Sequence, residues 1–102
     1  MLVSLPWPPG KPIIKDIYKN AVFLHWPKPE HDGGAKIESY VIELQKGGTD
    51  EWVRVQEGVP LPEQLVKGLI PMQDYAFRVR AVNRVERVSQ VNRQTSSFAR
   101  SV

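Results

Sequence analysis

Residues 75–83, YAFRVRAVN, alternate apolar and polar side chains with a period of two. A backbone that sorts its side chains in this way is a β-strand with one face dry and one face wet. Tyr75, Phe77, Val79 and Ala81 form the inward set, and Arg78 and Arg80 stand outward. The same period recurs upstream. In AVFLHW, residues 21–26, Val22, Leu24 and Trp26 point one way and Phe23 and His25 the other. In IESYVIELQK, residues 37–46, Tyr40, Ile42 and Leu44 share a face opposite Val41, Glu43 and Gln45, and the β-branched and aromatic content favours strand over helix. WVRVQE at 52–57 sets Val53 and Val55 against Trp52 and Arg54. IIKDIYK at 13–19, LVKGL at 65–69 and part of the tail VSQVNRQTSSFARSV complete seven short strands, the last at a sheet edge. Turn-rich stretches separate them, among them PKPEHDGG and GGTDE. Seven strands punctuated by turns predict an all-β, seven-stranded antiparallel Greek-key β-sandwich.

The totals restrict what such a chain can do. Its 102 residues suffice for one core and not for two. The prolines of LPWPPGKP, residues 5–12, lack amide donors and constrain their predecessors, so this stretch is a stiff lead-in. Residues 1–9 are read as a proline-rich linker, 10–93 as the domain, and 94–102 as an edge-strand end or tail. No cysteine is present, so neither a disulfide nor a thiolate metal site is available. Nothing approaches a membrane span of about 20 apolar residues, and MLVSL lacks the basic start of a signal peptide. Charge is uneven. Residues 75–102 hold six arginines against Glu86, or +5, while residues 1–74 hold eight bases against ten acids, or −2, which together give the formal +3.

These residues resemble a fibronectin type III domain, an immunoglobulin-like sandwich, over residues 8–92. The resemblance rests on Trp26 in the second strand, on YVIE at 40–43, and above all on GLIPMQDYAFRVRAVN at 68–83. Leu69, Pro71 and Tyr75 match the tyrosine corner of that family, in which the Tyr hydroxyl bonds back to the backbone of the preceding loop. With Trp26 and Tyr40 they make up the expected structural core and corner. PPGKP, PEHDGGAKIESYVIE, EWVRV and FRVRAVN are further similar to modules of the titin, twitchin, projectin and obscurin group. That likeness implies a cytoplasmic, sarcomeric chain of such modules serving as scaffold and spacer. Neighbouring immunoglobulin or fibronectin type III domains and thick-filament proteins would be its partners, and the isolated domain would be a monomer. The chain departs from those modules after AVN, where RVERVSQVNRQTSSFARSV contains no glycine or proline. The alternative is an extracellular receptor or adhesion domain that binds a protein ligand through its loops.

Catalytic chemistry finds few footholds. Of the two histidines, His25 falls on an outward strand position, and EHD at 30–32 lacks the spacing that lets ligands converge on one ion. There is no G-x-S-x-G elbow and no thiol, so no enzyme, cofactor or metal is expected. No Asn is followed by the Ser or Thr of a glycosylation acceptor, which leans towards the intracellular setting. PWPP at 6–9 has the spacing of a polyproline ligand, but an interdomain linker is the preferred reading of this composition. The outward arginines are left. Arg78 and Arg80 lie within reach of Glu43 and near Trp52, so cross-strand pairing and stacking account for the alternation without any ligand. The same composition is that of an interface, and Trp52, Arg54, Arg78, Arg80, Arg84 and Arg87 are the candidate patch for an acidic protein partner. Nucleic acid is not expected, because no binding motif accompanies the basic tail.

Overall fold

The inward alternation is satisfied by two antiparallel sheets facing one another in a computed structural model that describes residues 5–85, 88–89 and 97–100. Its strands are β1 (Ile13–Ile17), β2 (Val22–His25), β3 (Ile37–Lys46), β4 (Trp52–Val59), β5 (Glu63–Val66), β6 (Asp74–Asn83) and β7 (Ser97–Arg100). One sheet runs β1-β2-β5 and the other β4-β3-β6-β7, so the chain crosses between sheets after β2, after β4 and after β5. The fifth strand ends at Val66, so Lys67 and Gly68, read from sequence as part of it, belong to the crossover that leads to Leu69 at the corner. In the tail, β7 pairs with β6 at the edge of the larger sheet, from Asp74↔Arg100 to Phe77↔Ser97.

Val22 and Leu24 of the smaller sheet, with Trp26 just past the end of β2, meet Tyr40, Ile42, Phe77, Val79 and Ala81 from the larger one in a single buried cluster. Trp26 is 1% exposed and meets the Tyr40 ring edge-on, with centroids 5.3 Å apart. This geometry suits the opposed charges of ring edge and ring face. Among the described residues, Trp26 Nε1 is the one buried side-chain nitrogen or oxygen without a hydrogen-bond partner, so this side chain contributes by packing alone. Inward parity fails to bury one predicted position. Val53 on the edge strand β4 is 45% exposed, because the three-stranded sheet opposite is narrower than the four-stranded sheet it covers.

The corner between β5 and β6 is built from three elements. Leu69 is buried, and its N–H donates to the Asn20 carbonyl in the turn between β1 and β2 at 2.9 Å. The Tyr75 hydroxyl accepts from the Ile70 N–H at 2.8 Å. Gln73 N–H donates to the Ile70 carbonyl at 3.3 Å, closing a turn with Pro71 second and Met72 third. Pro71 is therefore an exposed turn residue beside the core. Met72 has φ 67°, a left-handed conformation at the turn position that glycine fills at least cost.

At the opposite pole the lead-in is fastened down. Trp7 N–H donates to the His31 carbonyl at 2.9 Å and Gly10 N–H to the Pro27 carbonyl at 3.1 Å, while the Trp7 and His31 rings meet edge-on at 4.0 Å. A Cβ on Gly10 would come within 2.7 Å of Pro27 Cγ, so only glycine permits this approach. The proline stretch is thus held against the β2–β3 loop from Trp7 onward.

Trp26→Ala is expected to cost about 3–5 kcal/mol, the range for truncating a buried large aromatic. Trp26→Phe should cost clearly less, since no indole hydrogen bond to a described residue is lost; equal losses in urea unfolding would show that the N–H matters. Met72→Gly should raise stability by about 0.5–1 kcal/mol, the left-handed penalty of an L-residue less the added chain entropy of glycine. A fall in midpoint would contradict this reading of the turn.

Candidate functional site

With the inward positions committed to the core, the chemistry available to a partner lies on the outer face of the larger sheet and in the loops. On that face β3 is central, flanked by β4 and β6. The register sets Glu43 opposite Arg54 on one side and opposite Arg78 on the other, with Arg80 next along the same face of β6. One carboxylate can therefore reach either neighbouring strand.

It turns towards β6. Arg78 Nε donates to Glu43 Oε1 at 2.6 Å, and Arg80 Nε donates to the same oxygen at 3.2 Å. Arg80 Nη1 also donates to the Ser89 carbonyl at 3.1 Å. The Arg78 guanidinium carbon lies 4.1 Å from the Trp52 ring centroid, so the indole is half-buried beneath the cation. The side chains of Glu43, Arg78 and Arg80 are 12%, 19% and 22% exposed, which removes them from the regime of freely solvated surface pairs. Burial pushes the Glu43 carboxyl up, but the hydrogen bonds and charges of Arg78 and Arg80 outweigh it and hold the group below its ordinary value.

The structure divides the sequence-predicted patch. Trp52, Arg78 and Arg80 come together around Glu43. Arg54, though opposite Glu43 in register, pairs instead with Glu57 at 3.3 Å in a solvated contact. Arg84 is exposed beyond the end of β6, where its backbone N–H donates to the Lys36 carbonyl at 2.7 Å. Arg87 lies outside the described residues. Of the core and corner set, Trp26, Tyr40, Leu69 and Tyr75 are buried, and Pro71 is exposed.

Two buried polar residues escaped the sequence reading. Ser89 returns the chain to β6: its N–H donates to the Ala81 carbonyl at 2.8 Å and its hydroxyl accepts from Ala81 N–H at 2.8 Å. Asn83 donates through Nδ2 to the Asp32 carbonyl at 3.2 Å and accepts from Val85 N–H at 3.2 Å. Asn83 thereby ties the loop after β6 to the β2–β3 loop. Its odd-numbered position continues the inward parity of β6, a signal the sequence did carry. Between the β2–β3 loop and β3 lies an open cleft of about 260 Å³ lined by Lys28, Glu30, His31, Asp32, Ile37 and Tyr40. No group of three or more metal-ligating side chains is assembled among the described residues.

Comparison with known proteins adds a family and two kinds of relative. The family described as "Fibronectin type III domain" matches residues 7–96. Roundabout homolog 3 of Homo sapiens is 41% identical over 80 residues, which is 78% of this chain and 6% of that protein. Pikachurin of Rattus norvegicus is 34% identical over 79 residues, 76% of this chain and 8% of the relative. The solved titin module A71 from human cardiac muscle superposes with a TM-score of 0.79 at 36% identity, covering 87% of this chain and 86% of that one. The chain thus spans less than a tenth of these curated relatives and nearly the whole of an isolated titin module.

A depressed folded-state pKa means that Glu43 adds stability above the unfolded value, and that this contribution is lost as pH falls through the folded one. Urea midpoints measured from pH ~7 to pH ~3 should therefore fall with acid, and Glu43→Gln should flatten part of that fall. An identical slope in the variant would show that the Arg78–Glu43–Arg80 cluster adds no acid-sensitive stability.

Proposed function

The chain belongs to the fibronectin type III family, and from that premise we propose that it is a non-catalytic link and protein-docking module of a longer multidomain protein. Members of this family are structural modules that mediate contacts between proteins. The match to less than a tenth of the Roundabout and pikachurin chains supports a module among many. In this reading residues 10–93 form the module, 1–9 lead into it and 94–102 end it.

The observation that carries a docking role is the cluster of Trp52, Arg78 and Arg80 on the outer sheet face. Arg78, stacked on Trp52, and Arg80 are both partly desolvated and both held by Glu43 before any partner arrives, so less side-chain entropy is lost on binding. An extracellular setting beside the Roundabout homologs and pikachurin is favoured by the 41% identity to Roundabout homolog 3. There the β2–β3 loop, with its cleft and its tie to Asn83, offers a second surface for a protein ligand. A sarcomeric setting is the second reading, supported by the 36% identity to titin module A71 over most of both chains.

Two variants separate face from loops. Arg80→Glu should reduce capture of a bound partner at least tenfold with the fold retained, while His31→Ala should leave capture unchanged. The opposite outcome would move the docking surface to the loops. An antibody against the module decides the setting: labelling of unpermeabilised cells fits the extracellular reading, and striated labelling only after permeabilisation fits the sarcomeric one.

A further inference from the structure

The donors of the two outer-face arginines are unevenly used. Arg78 gives Nε to Glu43 and its flat face to Trp52, and Arg80 gives Nε to Glu43 and Nη1 to the Ser89 carbonyl. No described residue takes a hydrogen bond from either Nη of Arg78 or from Nη2 of Arg80. Among the described residues none of these three is a fully buried atom lacking a partner, so each keeps some contact with solvent on side chains 19% and 22% exposed. Two guanidinium charges against one carboxylate leave a surplus of one positive charge. That surplus sits on side chains about one-fifth exposed, where an anion is attracted more strongly than at a fully hydrated cation.

We propose that this face binds a carboxylate from an acidic segment of a partner protein, seated on the Nη ends of Arg78 and Arg80 beside Trp52, with Glu43 as the positioning residue that aims both guanidinium groups. The proposal rests on the docking role of this face and names its chemistry. A guanidinium edge matches a carboxylate in plane and spacing, which a lysine ammonium does not. The incoming carboxylate would bring the cluster to two cations and two anions. Nucleic acid is the less favoured occupant, because no nucleic-acid-binding motif accompanies these basic residues.

The test follows the Trp52 indole N–H by NMR while the chain is titrated with short Glu-rich, neutral and Lys-rich peptides of equal length and with a thymidine oligonucleotide. The Glu-rich peptide alone should shift the signal. The charge-conserving change Arg78→Lys with Arg80→Lys should weaken that binding at least tenfold. Glu43→Ala should weaken it too, although it makes the face more positive; simple attraction between opposite charges predicts the reverse. Equal shifts with neutral and basic peptides would overturn the carboxylate assignment and leave the face a docking surface. So would equal binding of the oligonucleotide, or lysine variants within twofold of the parent. A Trp52 signal that no probe moves would also overturn it, and the Arg80→Glu capture experiment would then decide the docking role separately.

Discussion

The edge-on contact of Trp26 with Tyr40 joins two sheets whose strands hydrogen-bond only within their own sheet. What holds the layers together is burial and dispersion between facing side chains, non-directional forces that grow with the apolar area removed from water. Trp26 is the largest member of that layer, and among the described residues its indole N–H has no partner. An unpaired buried donor costs about 1–3 kcal/mol. The gain from packing so large a side chain must exceed that cost, and Val22, Leu24, Phe77 and Val79 supply the surrounding surface.

Once those positions are committed inward, parity dictates the rest. Glu43, Arg78 and Arg80 share the outer face because Ile42, Phe77 and Val79 share the inner one, although Val41 and Ala76, at outward positions of β3 and β6, are themselves buried at 3% exposure. Glu43 sits on β3, with a strand on either side, and is shielded by both; Arg54 on the edge strand remains in solvent and pairs with Glu57. Position within the sheet, more than residue type, sorts these charges into a half-buried cluster and a solvated pair.

This sorting explains how far the sequence could be read. The alternation in residues 75–83 gave the inward and outward sets of β6, and the pairing of Arg78 and Arg80 with Glu43 follows from neighbouring strands in register. Val53 obeyed the same period yet is exposed, because burial also requires a strand opposite, and sheet width is a tertiary property that one strand's pattern does not encode. The fastening of Trp7 and Gly10 to the β2–β3 loop was equally hidden, since a proline-rich stretch has no period from which to predict a partner. Ser89 resembles any loop serine in sequence; only the return of the chain to Ala81 buries it.

The separation of inner and outer positions also bears on the two kinds of relative. Packing restricts the inward set to residues that fill a fixed space, so likeness there reports a shared sandwich and little about what each protein touches. The outward set is under no such constraint from the core. A strand face could be solvated by any mixture of charged residues, yet here two arginines converge on one carboxylate oxygen and a third donor group reaches a backbone carbonyl. Ordering two long side chains opposes folding by roughly 1.5–2 kcal/mol each, and partly desolvating two cations for one anion adds to that. Solubility requires neither. A second anion arriving with a partner would relieve the charge imbalance, and so the outer face of the larger sheet, more than the likeness of the core, is where the binding specificity of this module is to be sought.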